Sequence, residues 1–308
     1  MTNETKSKTL FGTEKNPSNI IPMKYTLDSK IKFQCHPGVS CFTACCGNID
    51  IILTPFDILR LRQELNISSD EFLLRFTTPM WVEKTDLPGV KLNLDENQRC
   101  PFVTEKGCTI YEHRPSACRY YPIGMANFHQ ADDDGADAEK FFFVVKEEHC
   151  KGHDEPKEWT IRDWRADQGV DLCDEMNVRW MQLVMRRKSY GFQASMSPEG
   201  QKMFFMVSTN LEKFKRFIFE SSFLDTYIID DAELEEIKND DIKLMFFGFK
   251  YLAGALFGAK TLQIRQEKID ARVEMIKNSQ DEREAGAEEA FNQLVADRDA
   301  LMAQKEKK

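Results

Sequence analysis

From Trp159 onward, apolar residues recur every three or four positions, the period of helices with one buried face. Thr160-x2-Asp163 caps a short helix that Gly169 can close, and Leu172 to Tyr190 reads as a longer one ending at Gly191. Ser197-Pro198-Glu199 opens another, Thr209-x2-Glu212 caps the Phe-rich segment Leu211 to Phe219, and Asp230 begins a short helix. The longest apolar run, Leu244 to Ala259 broken by Lys250, predicts a buried helix followed by Gly258. From Gln263 the chain is dominated by Glu, Lys, Arg, Gln and Ala, and reads as an exposed helix that frays at Lys305 to Lys308.

Before Trp159 the pattern is shorter and mixed. Ile49 to Leu53, Val90 to Leu94, Thr109 to Tyr111 and Phe141 to Val145 read as strands. Thr54-Pro55-Phe56-Asp57 and Ser68-x2-Glu71 each start a helix, and Glu105-Lys106-Gly107 is a hairpin turn. Asp132 to Gly135 reads as an exposed turn, because the later acidic ligands of a calcium loop are missing. The expected fold is α+β and mostly helical: a polar tail at 1–27, a cysteine-bearing domain at 28–158 with short strands and helices, a helical domain at 159–262, and a charged exposed helix at 263–308.

Composition narrows the function. A chain of 308 residues allows one large or two modest domains, and 23 Phe can fill a sizeable core. A formal charge of −9 leaves no global basic footprint, so nucleic acid is not an expected partner. Arg186-Arg187-Lys188 fits the cationic last turn of a helix. The apolar run at Leu244 is too short and broken for a membrane span. No targeting segment is visible at the N-terminus, which points to the cytoplasm.

The sharpest chemical signal is sulfur. Eight of nine cysteines fall between Cys35 and Cys150, as Cys35-x5-Cys41-x3-Cys45-Cys46, then Cys100-Pro101-x6-Cys108-x9-Cys118, then Cys150. A disulfide framework suits short secreted chains, and unreactive buried thiols would not gather with Gly and Pro in this way. Metal ligation is therefore the expectation for Cys35, Cys41, Cys45, Cys46, Cys100, Cys108, Cys118 and Cys150. An iron–sulfur cluster of the 4Fe–4S type and zinc both stay open. The spacing matches neither a zinc ribbon nor the bacterial ferredoxin run, and the softness of thiolates tilts the choice toward iron–sulfur. Arg114 and Arg119 flank Cys118 and are candidates for offsetting an anionic centre or anchoring an anionic cofactor; the alternative is a pair of surface arginines. Cys173 sits at helical spacing with Leu172, Met176 and Trp180 and reads as a small core residue.

Phe33-x-Cys35, Cys41-x3-Cys45-Cys46, Cys100-Pro101-Phe102, Gly107-Cys108-x-Ile110-Tyr111-x2-Arg114-Pro115 and Cys118-Arg119-x-Tyr121-Pro122 together resemble the YkgJ-type cysteine-cluster family. That family is described as zinc- or iron-chelating, and its metal motif is similar to that of the flagellin lysine N-methylases. The resemblance covers about residues 30 to 155 and implies metal-ligand roles for the eight cysteines. Three functions follow as expectations. The first is a bacterial-type metal-binding protein, with metal ions as its partners, for electron transfer, sensing or metal handling. The second is a protein-lysine N-methyltransferase using S-adenosylmethionine, with a protein substrate. The third is a protein-interaction module with a purely structural metal.

Overall fold

At Thr54 the local chemistry of the sequence starts an element directly. In the computed structural model, which describes residues 24–128, 139–189 and 196–305, the Thr54 hydroxyl accepts from the Asp57 amide and Asp57 returns the bond to the Thr54 amide. This reciprocal cap, with Pro55 in the first turn, begins α1 (Pro55–Glu64), whose Phe56, Ile58, Leu59 and Leu61 are buried. Ser68 caps α2 (Ser69–Phe76) in a similar way, through the Glu71 amide.

The strands come in antiparallel pairs. β1 (Lys30–Lys32) lies far from its partner in sequence; β2 (Thr77–Val82) and β3 (Leu87–Leu92) form the longest hairpin, with Thr77 opposite Leu92. β4 (Val103–Thr104) turns into β5 (Gly107–Cys108) through Gly107, whose φ of 111° is in the region that favours glycine. α3 (Ser116–Tyr120) follows, then β6 (Ile123–Phe128) paired with β7 (Glu139–Val144), and β8 (Glu158–Thr160), which closes on β1. Two small apolar cores support these hairpins. One gathers Ile51, Leu61, Phe72, Val90 and Phe102; the other gathers Ile31, Phe33, Phe142, Cys150 and Trp164.

The helical part runs α4 (Ile161–Asp167), α5 (Val170–Ser189), α6 (Pro198–Thr209), α7 (Leu211–Glu220), α8 (Phe223–Thr226), β9 (Tyr227–Ile228), α9 (Asp231–Asn239), α10 (Asp241–Phe257), β10 (Gln263–Ile264) and α11 (Gln266–Lys305). α10 is the buried helix that the apolar run requires, and Gly258 ends it in the left-handed conformation. Trp180 of α5 packs between Phe204 of α6 and Phe249 of α10. A Cβ on Gly248 would lie 2.7 Å from Val207 Cγ1, so this glycine sets how closely α10 approaches α6. Contacts divide the chain into two units, 1–215 with 236–259, and 216–235 with 260–308. The second holds α8, the antiparallel β9–β10 pair and α11.

The α+β, mostly helical class is as the sequence pattern requires. Some elements differ. Thr109 to Tyr111 makes no return strand: β5 ends at Cys108 and a short 3-10 turn runs Tyr111–His113. β2 has no alternating pattern and is defined by its pairing with β3. α7 takes its cap from Asn210, whose side chain accepts from the Lys213 amide, while the Thr209 hydroxyl bonds back to Phe205 O. The tail up to residue 23, the turn at Asp132 to Gly135 and the helix end at Tyr190-Gly191 lie outside the described residues. Among the described residues no helix is long and apolar enough to cross a membrane.

Candidate functional site

Each thiol is set by a different local device. Cys45 and Cys46 lie in a short 3-10 turn, Ala44–Cys46, entered through Thr43 in a left-handed conformation. The Cys100 amide donates to Cys46 O at 2.8 Å, and this bond brings the start of the second cysteine set to the end of the first. Cys108 is in β5, Cys118 in α3, and Cys150 in the second small core. The Lys151 amide donates to Cys41 Sγ at 3.1 Å, which ties the Cys150 segment to the N-terminal set. All nine cysteines are free, and Cys173 is a buried core residue, as its helical spacing implies.

The thiols are within electrostatic reach of one another. Cys35 feels Cys45, Cys41 and Cys150; Cys46 feels Cys45, Cys100 and Cys118; Cys118 feels Cys100, Cys108 and Cys45. Burial, with this mutual repulsion, pushes Cys35 up to about 11 and raises Cys100 and Cys150, while Cys108 is raised by burial alone. Cys45 goes the other way. Hydrogen bonding from Cys46 holds its thiolate, the nearby Arg99 guanidinium adds to this, and its pKa falls to about 7. Cys46 is raised as the protonated partner of the pair. Arg99 also donates to the Thr43 hydroxyl at 3.1 Å, so it is fixed beside the turn that carries Cys45. The sequence signal for Arg99 is its place directly before Cys100.

Arg114 and Arg119 are buried, not surface residues. All three nitrogens of Arg119 donate to carbonyls of this chain, at Arg114, Gln168 and Glu112. Arg114 donates to Tyr111 O at 2.6 Å and to the Gln168 side chain, and stacks on the Tyr111 ring. The pair ties the Cys118 loop to the end of α4. Below it Asp57, buried in α1, accepts from the Ser116 amide at 2.8 Å and the Ser116 hydroxyl at 2.7 Å, which fixes the start of α3. His113 pairs with Glu64, His149 with Glu147, and His153 bonds Val145 O.

The site corrects the metal expectation. Among the described residues no group of three or more Cys, His, Asp or Glu side chains is placed to hold a metal ion. Cys35, Cys41, Cys45, Cys46, Cys100, Cys108, Cys118 and Cys150 share electrostatic reach but do not form a coordinating cluster. An ion held by thiolates needs several sulfurs within about 2.3 Å of one point, a far stricter condition than mutual repulsion. The iron–sulfur and zinc cofactors, metal ions as partners, and the three functions built on a metal motif are therefore overturned.

A mixed α+β chain with a thiol-bearing N-terminal part is the class this geometry defines. Residues 34–151 match the family CxxCxxCC, described as "Putative zinc- or iron-chelating domain". The chain carries a domain of that family, the YkgJ-type family that its motifs resemble. No curated protein and no solved structure matches the chain. The chelation named in the family's description does not fit the donor arrangement here.

Proposed function

We propose that the cysteine-bearing part is a thiol redox domain that exchanges with disulfides, with Cys45 as the attacking thiol. The observation that carries this reading is the Cys45–Cys46 pair beside Arg99, in a turn surrounded by further free thiols. A thiol ionised near neutral pH is the reactive one, and its neighbours, held protonated, wait as the second reactant.

In the first step the Cys45 thiolate attacks one sulfur of a disulfide. The S–S bond breaks, the other sulfur leaves as a thiolate and takes up a proton, and Cys45 carries a mixed disulfide. A second thiol, from Cys35, Cys46, Cys118 or Cys150, then loses its proton and attacks Cys45 Sγ. That releases the second half of the substrate. The net change moves two electrons and two protons from protein to substrate. Nine free cysteines and this chemistry fit a reducing compartment, so the cytoplasm is the location that goes with the reading.

The test is brief exposure to oxidised glutathione at graded pH, with the modified cysteine mapped by mass spectrometry. Cys45 should be modified first, with a rate that rises through about pH 7 and then levels off. Cys46→Ala removes the hydrogen bond. The Cys45 thiolate fraction at pH 7 then drops about fiftyfold while its intrinsic nucleophilicity regains about tenfold, a net slowing of about fivefold. If Cys45 is modified no faster than Cys108, the reading fails.

A further inference from the structure

We propose that α11 pairs antiparallel with α11 of a second copy of this chain and so joins two copies into a dimer. The starting observation is length without cover. α11 has 40 residues, about 60 Å at 1.5 Å per residue, and every side chain described in it is exposed. An unpacked helix of this kind is marginal in water, and its stability comes from burying one face. Such a face is present. Ile269, Val273 and Ile276 lie on one side near the start, and Phe291 and Leu294 lie on the same side near the end, with Phe291 67% and Leu294 71% exposed. Between them the face continues through Gln280, Arg283 and Ala287, in steps of three and four residues.

The order of residues on this face selects the occupant. Two apolar blocks flank a polar middle, and the arrangement matches itself when reversed. An antiparallel copy centred between residues 281 and 282 places Ile269 opposite Leu294, Val273 beside Phe291, and Ile276 opposite Ala287. Gln280 then meets Arg283, whose guanidinium can donate to the amide oxygen. A parallel pair in register would set Arg283 against Arg283 in the seam, two like charges with no acceptor. In the antiparallel pair Lys277 also lies along the edge that carries Glu284 and Glu288 of the other copy, an attractive contact.

Light scattering and sedimentation of the full chain test the proposal. The expected species has twice the 35.8 kDa mass of one chain and dissociates on dilution. Val273→Lys and Phe291→Glu should each weaken the dimer about thirtyfold, the size of a well-packed anchor residue. Combined in one chain they should restore association to within about threefold of the original, because only the antiparallel register sets the two positions beside each other. Leu74→Ala removes an apolar side chain that is 84% exposed elsewhere and should leave the dimer unchanged. A chain mass at every concentration overturns the proposal. So does a double variant no better than the single ones.

Discussion

Around Asp57, backbone and hydroxyl groups are satisfied by a carboxylate reaching across 59 positions of sequence; around Phe204, rings pack on rings with Trp180 between two helices. The thiol-bearing region, described over residues 24–128 and 139–160, has short helices, short paired strands and two small apolar cores. It is held by polar staples: Asp57 on Ser116, Arg119 on three carbonyls, Arg114 on Gln168. The helices α5, α6 and α10 use apolar burial, with Phe204, Leu244 and Leu252 fully covered. Staples fix positions one at a time, so each is critical to one loop. Packing is shared, so its loss is felt across all three helices.

The comparison breaks most visibly at Phe204. Phe204→Ala should cost about 4 kcal/mol, the range for truncating a fully buried Phe, and lower the denaturation midpoint of the whole first unit. Next is Asp57→Ala, which leaves the Thr54 amide and the Ser116 amide and hydroxyl without their acceptor. About 3 kcal/mol is expected from these orphaned donors. Hydrogen exchange should rise around Ser116 to Tyr120 while α10 keeps its protection. If both variants loosen both regions equally, the two modes of support are not distinct.

A milder test lies in the second small core. Gly152→Ala would place a Cβ 2.8 Å from the Phe33 ring and 2.9 Å from Gln34 O. The backbone oxygen cannot turn aside as a flexible side chain can, so a cost of about 2 kcal/mol is expected. Thermal unfolding should shift, and the Gln34 amide, which donates to Gly152 O at 3.0 Å, should exchange faster.

What could be read from the sequence divides along the same line. The caps at Thr54, Ser68, Thr160 and Ser197 are local events, and each side chain makes the bond its spacing promises. The buried α10 follows from composition alone. β2 was hidden because Thr77 to Val82 contains Pro79 and no alternation; its partner strand, not its own residues, makes it a strand. The cysteine spacing told which sulfurs share a loop and that the two sets meet, through Cys100 and Cys46. It could not tell whether three sulfurs aim at one point. That depends on the directions set by distant staples such as Asp57 and Arg119, and among the described residues no coordinating group results.

The smallest expected effect is a pH dependence confined to the thiol-bearing region. Cys150 and Tyr121 sit together in the second small core, and both are raised above their ordinary values, first by burial. A raised folded-state pKa means that the native state holds the proton more tightly than the unfolded chain does. The stabilisation is complete below the unfolded value, near pH 9 for the thiol and pH 10 for the phenol. It is lost as pH rises through the folded values. Stability measured by urea unfolding should therefore decline from about pH 9 upward. Cys150→Ala and Tyr121→Phe should each flatten that decline and leave the neutral-pH slope alone. Phe204 carries no titratable group, so Phe204→Ala should shift the whole curve down without changing its alkaline slope. Part of the slope remains in both variants, because Cys35, Cys46, Cys100 and Cys108 are raised as well; a slope left wholly unchanged by Cys150→Ala and by Tyr121→Phe would remove this core from the account.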